Sequence, residues 1–178
     1  MPAPTVVVSC CDSAGRPNAI TLGAAGVACA NPPLLSAAIS PNRYSHGLIC
    51  ATGDFVVNVP RADQADLADK CGCVSGRDGD KLAELGLSAT PARRVRSPLI
   101  AEFPVSYECK LFRVISCGSH DLFLGEVQCV HVDEGLLAED EETIDPCKFD
   151  ALVSLQTSYF HMGDCVGRWF FTREERRE

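Results

Sequence analysis

The sequence lacks the features of a membrane, secreted or nucleic-acid-binding protein. Its 178 residues contain no apolar run long enough for a membrane span, and the first residues, MPAPTVVVSCCDSAG, carry no basic region of the kind that opens a secretory signal. Only 16 Lys and Arg stand against 24 Asp and Glu, and the net charge of −8 argues against nucleic acid or an anionic membrane as a partner. We expect a cytoplasmic protein with a single domain over residues 1–178, because this length suffices for one core.

A metal-binding spacing is also lacking, although the chain has 11 cysteines. Cys10 and Cys11 are adjacent, Cys71 and Cys73 are separated by one residue, and C-x-x-C does not occur. Zinc and iron–sulfur sites normally use such spacings, so we expect reduced thiols and no metal. A thiol or metal protein built on these four cysteines stays open as an alternative.

Short alternating and β-branched runs predict an antiparallel β protein. No helix alternates regularly with a strand, and no glycine fingerprint follows a strand, so a dinucleotide-binding fold is not expected. Many short strands separated by turns are typical of a closed or nearly closed barrel. The patterns predict strands over 5–10, 18–30, 34–40, 55–59, 103–116, 120–132 and 149–155, and short helices over 46–52, 61–71 and 81–85.

The stretch PNRYSHGLICATGDFVVNVP, residues 41–60, predicts a phosphate site at the start of a short helix. Ser45 is predicted as the N-cap of this helix, and Gly53 suits its left-handed end. Arg43 lies just before amides that have no backbone partner, and a basic side chain, a hydroxyl and free amides together suit a phosphate. The structural alternative is that Ser45 only caps the helix and Arg43 only meets solvent.

Five motifs in this order resemble the flavin reductase-like FMN-binding split barrels, and within them the flavoredoxin group. They are NPP, RYSHGLICATGDFVVNVP, CGCVSGRDGDK, PLIAEFPVSYECKL and GSHDLFLGEV. The resemblance covers residues 5–132 and continues in weaker form to residue 159. It implies a mainly β fold, a six-stranded antiparallel split β-barrel with short helices inserted. It also implies a homodimer that binds FMN near the subunit interface.

The resemblance places FMN-binding positions residue by residue. Relatives carry an aromatic near Ala24, where this chain has small residues. Lys81 is a candidate for a contact with the N1–O2 edge of the flavin or for a second phosphate contact; alternatively, it is a surface lysine. His120 is a candidate donor to the ribityl chain, the phosphate or the ring; alternatively, it caps a hairpin. The full set is Asn18, Thr21, Gly23, Ala24, Ala25, Arg43, Tyr44, Ser45, His46, Ser75, Gly76, Arg77, Asp80, Lys81, His120 and Tyr159.

The resemblance also implies an activity. A flavin supplies the redox chemistry, and the protein holds and tunes it. The implied enzyme is an oxidoreductase that accepts electrons or hydride at flavin N5 from NAD(P)H and passes them to a flavin, ferric or protein acceptor. The alternative is a flavoredoxin-like carrier that a protein partner reduces. The sequence shows no nucleophile paired with a base, so no covalent catalytic residue is expected.

Overall fold

A computed structural model describes residues 1–77, 79–167 and 169–173. In this part of the chain, no helix is both long and apolar enough to cross a membrane. The strands are β1 (Ala3–Pro4), β2 (Val6–Cys11), β3 (Pro17–Leu22), β4 (Ala25–Cys29), β5 (Leu34–Ile39), β6 (Asp54–Val59), β7 (Ala89–Thr90), β8 (Leu99–Ile100), β9 (Val105–Ser116), β10 (Asp121–Val132), β11 (Val153–Leu155) and β12 (Ser158–Phe160). The helices are α1 (Tyr44–Thr52), α2 (Ala65–Cys73) and α3 (Lys81–Glu84), with 3-10 turns at Ala62–Gln64, Glu134–Leu136 and Phe171–Arg173.

Seven antiparallel strands form the main sheet, in the order β3-β2-β6-β9-β10-β5-β4. Its edge strands β3 and β4 are joined only by Gly23 and Ala24, and β3 also contacts β5. The amide of Ala38 in β5 donates to the carbonyl of Ala24 at 2.9 Å. The sheet therefore curls until its two edges approach each other, which gives a barrel that is open along one seam.

The predicted mainly β, antiparallel fold with short helices is confirmed, but the count of six strands is wrong for this sheet. The run over 18–30 was expected to form one strand, and the structure divides it at Gly23 and Ala24 into β3 and β4. Small residues continue through the break without a turn signal, so the two-residue period did not reveal it. The two halves become the opposite edges of the sheet.

The inner face of the sheet carries the main core. Val8, Ile39, Phe55 and Phe123 are fully buried there, and Ile49 of α1 packs among them. The other face of β2 and β3 packs in a second cluster with α2 and α3, through Val7, Ala19, Ala68, Cys71 and Leu82. Strand β2 is therefore buried on both faces, as its run of β-branched residues predicts.

Helix α1 begins two residues earlier than predicted. The structure places Arg43 at the N-cap, with no side-chain cap bond, so the assignment of Ser45 as the N-cap is wrong. Ser45 lies in the first turn and is buried, and its hydroxyl accepts a hydrogen bond from Nδ2 of Asn18 at 2.8 Å. The predicted end is confirmed: Gly53 has φ +77 and its amide donates to the carbonyl of Ile49 at 2.9 Å.

Gly125 of β10 tests how tightly the inner face is packed. A Cβ at this position would lie 2.8 Å from Cβ of Cys109 and would overlap the ring of Phe55. We expect Gly125→Ala to lower the free energy of unfolding by about 1–3 kcal/mol, because a filled core cannot take up another methyl group. Urea denaturation measures this change.

Gly47 provides the matched control, because it lies in α1 and a Cβ there would meet nothing within 4 Å. Gly47→Ala should raise the free energy of unfolding by about 0.5–1 kcal/mol, since alanine favours a helix interior. A Gly125→Ala protein within about 0.5 kcal/mol of the original would contradict the packing described here.

Candidate functional site

One cleft lies between the start of α1, strand β3, and the end of α2 with the loop that follows it. It has a volume of about 470 Å³. Two of the five sequence motifs, those over residues 43–60 and 71–81, meet here with Asn18 of β3. Its predicted lining residues are Asn18, Arg43, Tyr44, Ser45, Ser75, Gly76, Arg77 and Lys81, and its additional ones are Ala19, Ile20, Asn42, Cys71, Gly72, Cys73 and Val74.

The inner wall of the cleft is built around Asn18. Its side chain is buried; Nδ2 donates to Ser45, whereas Oδ1 has no hydrogen-bond partner among the described residues. A Cβ on Gly76 would overlap this Oδ1 and lie 2.9 Å from Cγ. Only glycine therefore allows the loop backbone to pass so close to β3. Oδ1 of Asn18 is thus a buried acceptor in the wall, and the hydroxyl of a ligand could donate a hydrogen bond to it.

Positive charge is concentrated at the mouth of the cleft. Arg43 and Arg77 both line it. The Arg77 guanidinium lies 5.5 Å from the ring centroid of Tyr44, a cation–π distance, and donates to the carbonyl of Asn42 at 3.3 Å. The first amides of α1 open at the same place, and the partial positive charge of a helix start adds to the two guanidinium groups. In a chain with a net charge of −8, this mouth suits an anion.

Lys81 is buried, with 3% of its surface exposed, so the alternative of a surface lysine is wrong. Its Nζ donates to the carbonyl of Ala19 at 2.7 Å and to that of Cys71 at 2.5 Å. Burial lowers the pKa of this amine. Lys81 thus ties β3 to α2 behind the cleft. The neighbouring Asp80 caps α3, because its side chain accepts from the amide of Ala83 at 3.1 Å.

The cleft continues along β3 as a groove. Its middle part is lined by Thr21, Gly23, Ala24, Arg43 and His120 among others, and its far part by Thr21, Gly23 and Tyr159 among others. Neighbouring parts share lining residues, Arg43 and Gly72 at one boundary and Thr21 and Gly23 at the other, so the three parts adjoin one another. Its middle offers mainly backbone and small side chains, which a flat ring can approach closely.

Tyr159 and Thr21 are both held against α2. The hydroxyl of Tyr159 donates to Oδ1 of Asp69 at 2.9 Å, and that of Thr21 donates to the carbonyl of Ala68. Burial, together with the Asp69 carboxylate, raises the pKa of Tyr159 to about 12. The Tyr159 hydroxyl therefore stays protonated and fixed at neutral pH.

The structure brings most of the predicted cofactor-binding residues to this groove or to the adjoining cleft lined by Asp80. Ala25 and His46 are not among the lining residues. Ala25 pairs with Ala37 in the sheet, and the ring of His46 binds Asp121. The site residues predicted from the sequence did not include Arg16, Asn42 and Gly72, which line these clefts from a turn, a loop and a helix end.

The cysteines of the alternative metal site do not form an exposed ligand set. Cys10, Cys11 and Cys71 are buried free thiols, and burial raises the pKa of Cys10 to about 12 and that of Cys71 to about 11. Cys10 packs as a small apolar side chain in the main core and Cys71 in the second cluster.

Side chains with metal-ligand chemistry do meet elsewhere, on β9 and β10. One ligand atom each from Glu108, Cys129 and His131 lies within 4.8 Å of the others. The Glu108 carboxylate already accepts hydrogen bonds from the amides of Arg93 (2.8 Å) and Arg94 (2.6 Å) and from Nε2 of His131 (2.6 Å). These three donors stabilise the buried carboxylate, which holds the loop before β8 in place.

Comparison with known proteins agrees with this geometry. Flavoredoxin of Desulfovibrio vulgaris (Miyazaki F) superimposes with a TM-score of 0.90 and 31% identity, over 97% of this chain and 93% of that one. A split barrel domain from Shewanella frigidimarina has a TM-score of 0.85 at 21% identity, over 96% and 86% of the chains, and so shares the fold.

A curated relative, NADH:riboflavin 5'-phosphate oxidoreductase of Streptomyces pristinaespiralis, is 28% identical over 69% of this chain and 67% of its own length. Among other curated relatives, the matched share of their own length ranges from 38% to 72%. The family description "Flavin reductase like domain" matches residues 1–161, which is most of the chain. The chain therefore belongs to the flavin reductase-like domain family, as its motifs predicted.

Proposed function

We propose that this chain is an FMN-dependent oxidoreductase that holds FMN in the groove along β3. The observation that carries the proposal is the arrangement of the groove: two arginines and a helix start at one end, and small residues along the middle. FMN has the same arrangement, with a phosphate dianion at one end and a flat ring at the other. Arg43, Arg77 and the first amides of α1 would hold the phosphate.

The residues present also fit the polyol chain that joins these two parts of FMN. Its hydroxyls are donors, and Oδ1 of Asn18 is a buried acceptor without a partner among the described residues. Gly76 lets the loop backbone lie against Asn18. His120, beside Gly23 and Ala24 in the groove, would donate to the ring or the ribityl chain.

When bound, FMN would supply the redox chemistry, because its N5 accepts electrons or hydride. The protein's part is to bind and orient the cofactor. Gly23 and Ala24 have no side chains large enough to keep a ring from the backbone, and Tyr159 covers the far end of the groove. Lys81 contributes indirectly: its amine holds the β3 carbonyl of Ala19 in place and so supports the wall of the groove from behind.

For the electron donor we propose NAD(P)H, supported by the relative described as an NADH:riboflavin 5'-phosphate oxidoreductase. A second candidate is electron transfer from a protein partner to a flavin, ferric or protein acceptor. It is favoured by the likeness to flavoredoxin over almost the whole of both chains. The free thiol state of all 11 cysteines supports a cytoplasmic setting for either function.

We also propose a homodimer. Large apolar side chains are exposed on three strands of the main sheet: Val27 on β4 (80%), Phe112 on β9 (50%) and Val130 on β10 (48%). Exposed apolar side chains on an edge strand such as β4 favour contact with another chain. FMN bound near such a contact would be shielded from water on a second side.

The phosphate contacts can be tested with Arg43→Ala and Arg77→Ala. Each variant should raise the Kd for FMN by about tenfold to a hundredfold, because a hydrogen bond to a charged group contributes about 1.5–3 kcal/mol. Quenching of flavin fluorescence during titration of the apoprotein measures the Kd. Arg93→Ala is the matched control, since Arg93 lies on an exposed loop outside the groove. Affinities of both groove variants within about twofold of the original would place the phosphate elsewhere.

The electron donor can be tested by anaerobic titration of the FMN-loaded protein with NADH and then NADPH. The proposed reductase should lose its oxidised flavin absorbance on addition of one equivalent of either nucleotide, much faster than free FMN under the same conditions. If the bound flavin is bleached by dithionite and not by NADH or NADPH, the carrier function stands and the reductase function is wrong.

The dimer can be tested by sedimentation velocity on Val27→Asp. The original chain should sediment as a dimer, and the variant should shift towards the monomer at micromolar concentration, because a carboxylate in an apolar contact is costly to desolvate. Ala14→Asp, on the exposed turn before β3, is the control and should leave the dimer intact. A monomeric original chain, or a dimeric Val27→Asp protein, would show that β4 is not the contact.

A further inference from the structure

A thiol, an imidazole and a carboxylate lie in contact beside α1, outside the groove. Cys50 and His46 are four residues apart on this helix and so share one of its faces. Sγ of Cys50 lies 3.9 Å from Nδ1 of His46, and Nε2 of His46 lies 2.8 Å from Oδ2 of Asp121 in β10. The imidazole therefore stands between the thiol and the carboxylate.

The hydrogen-bond chemistry fixes the tautomer of His46. An ionised carboxylate can only accept, so Nε2 carries the proton that bonds to Asp121. In the neutral imidazole, Nδ1 therefore has the lone pair, on the side of Cys50. The side-chain hydrogen bond with His46 holds the pKa of Asp121 below its usual value, which keeps the carboxylate ionised at neutral pH. The ring of Phe123, which is fully buried, meets the imidazole edge-on at 5.0 Å and 89° and holds its plane.

Cys50 is one of the exposed cysteines, and its Sγ lies beside the imidazole of His46. Partial burial of this sulfur, together with the charge of Asp121, raises the pKa of the Cys50 thiol. The thiol is therefore protonated at rest, and its reaction at neutral pH depends on a base within reach. His46 is such a base.

The arrangement is that of a nucleophile, a base and an orienting group rather than that of a metal site. Cys50 and Asp121 meet different ring nitrogens of His46, so they lie on opposite sides of the imidazole. A single metal ion cannot bind both of them together with one of these nitrogens. A nucleophile and a base, with the base held by a third group, are the known requirements for an activated thiol.

We propose that Cys50 is a reactive thiol with His46 as its base, and that its substrate is a low-molecular-weight disulfide. The thiol proton moves to Nδ1 of His46 as the Cys50 sulfur attacks one sulfur of the disulfide. A bond forms between these two sulfurs, the original S–S bond breaks, and the departing thiolate takes the proton from His46. Cys50 is oxidised to a mixed disulfide, and the other half of the substrate is reduced to a thiol.

A disulfide fits the site because its reaction requires an attacking sulfur and a proton for the departing thiolate. Cys50 provides the sulfur, and the imidazolium of His46 provides the proton. His46 thus serves first as base and then as acid without any further group. Asp121 is a positioning residue, since it acts on the thiol only through the imidazole.

The test uses the purified full chain and oxidised glutathione as the probe, with the mixed disulfide at each cysteine followed over time by peptide mass spectrometry. Cys117 and Cys147 are exposed internal standards in the same sample. At neutral pH we expect Cys50 to react at least about tenfold faster than Cys117. A positioned base contributes about a hundredfold or more, and the raised pKa of the Cys50 thiol offsets part of that gain. Equal or slower reaction of Cys50 would overturn the proposal.

Two variants test whether His46 acts as the base and whether Asp121 acts by orienting His46 rather than by its charge alone. His46→Asn should slow Cys50 about tenfold and leave Cys117 unchanged. If Asp121 acted only through its charge, Asp121→Asn would lower the thiol's pKa and speed the reaction, whereas loss of the orienting acceptor slows it. Faster reaction of the Asp121→Asn protein, or an unchanged rate in His46→Asn, would overturn the proposal. Cys50→Ser should abolish the fast reaction and leave FMN content unchanged.

Discussion

The amine of Lys81 joins the parts of the molecule on which the groove depends. It donates to one carbonyl of β3 and to one of α2, so the sheet edge and the helix that flanks it are fixed at one point. Asn18, the residue before Ala19 in β3, then reaches the first turn of α1 through Ser45, and Gly76 brings the loop after α2 against it. Three separate elements thereby form one wall. A lysine that sequence alone would leave at the surface is part of the core, since its two acceptors offset the cost of burying its charge.

The wall gives an acidic chain a localised patch of positive charge. With a net charge of −8, the molecule as a whole repels phosphates, yet Arg43, Arg77 and the start of α1 line one cleft. This contrast favours a ligand whose charge is confined to one end and whose other end is a flat, uncharged ring. A mononucleotide of flavin has that distribution, and its isoalloxazine ring would meet the small residues at the junction of β3 and β4. The same junction turns the sheet into an open barrel, so fold and site depend on the same residues.

The sequence predicted the long elements well because their patterns are strong. The hairpin expected over 103–116 and 120–132 is observed as β9 and β10, with ends within two residues of those expected. Strands of two or three residues, such as β1, β7 and β8, were missed because so short a segment shows no period. The break between β3 and β4 was missed because Gly23 and Ala24 continue a run of small residues.

That Arg43, Ser45 and Arg77 come together at one cleft was predictable from local chemistry and the order of motifs, whereas contacts across the fold were not. His46 and Cys50 show helical spacing in the sequence, but their partner Asp121 lies 75 residues after His46 and only the sheet brings it near. The central claim is that the mouth of the groove binds a phosphate. It is tested most directly by comparing the Kd values of FMN and of riboflavin, which lacks the phosphate, for the apoprotein. We predict that FMN binds at least about a hundredfold more tightly, from two or more charge-assisted contacts; equal affinities would contradict the claim.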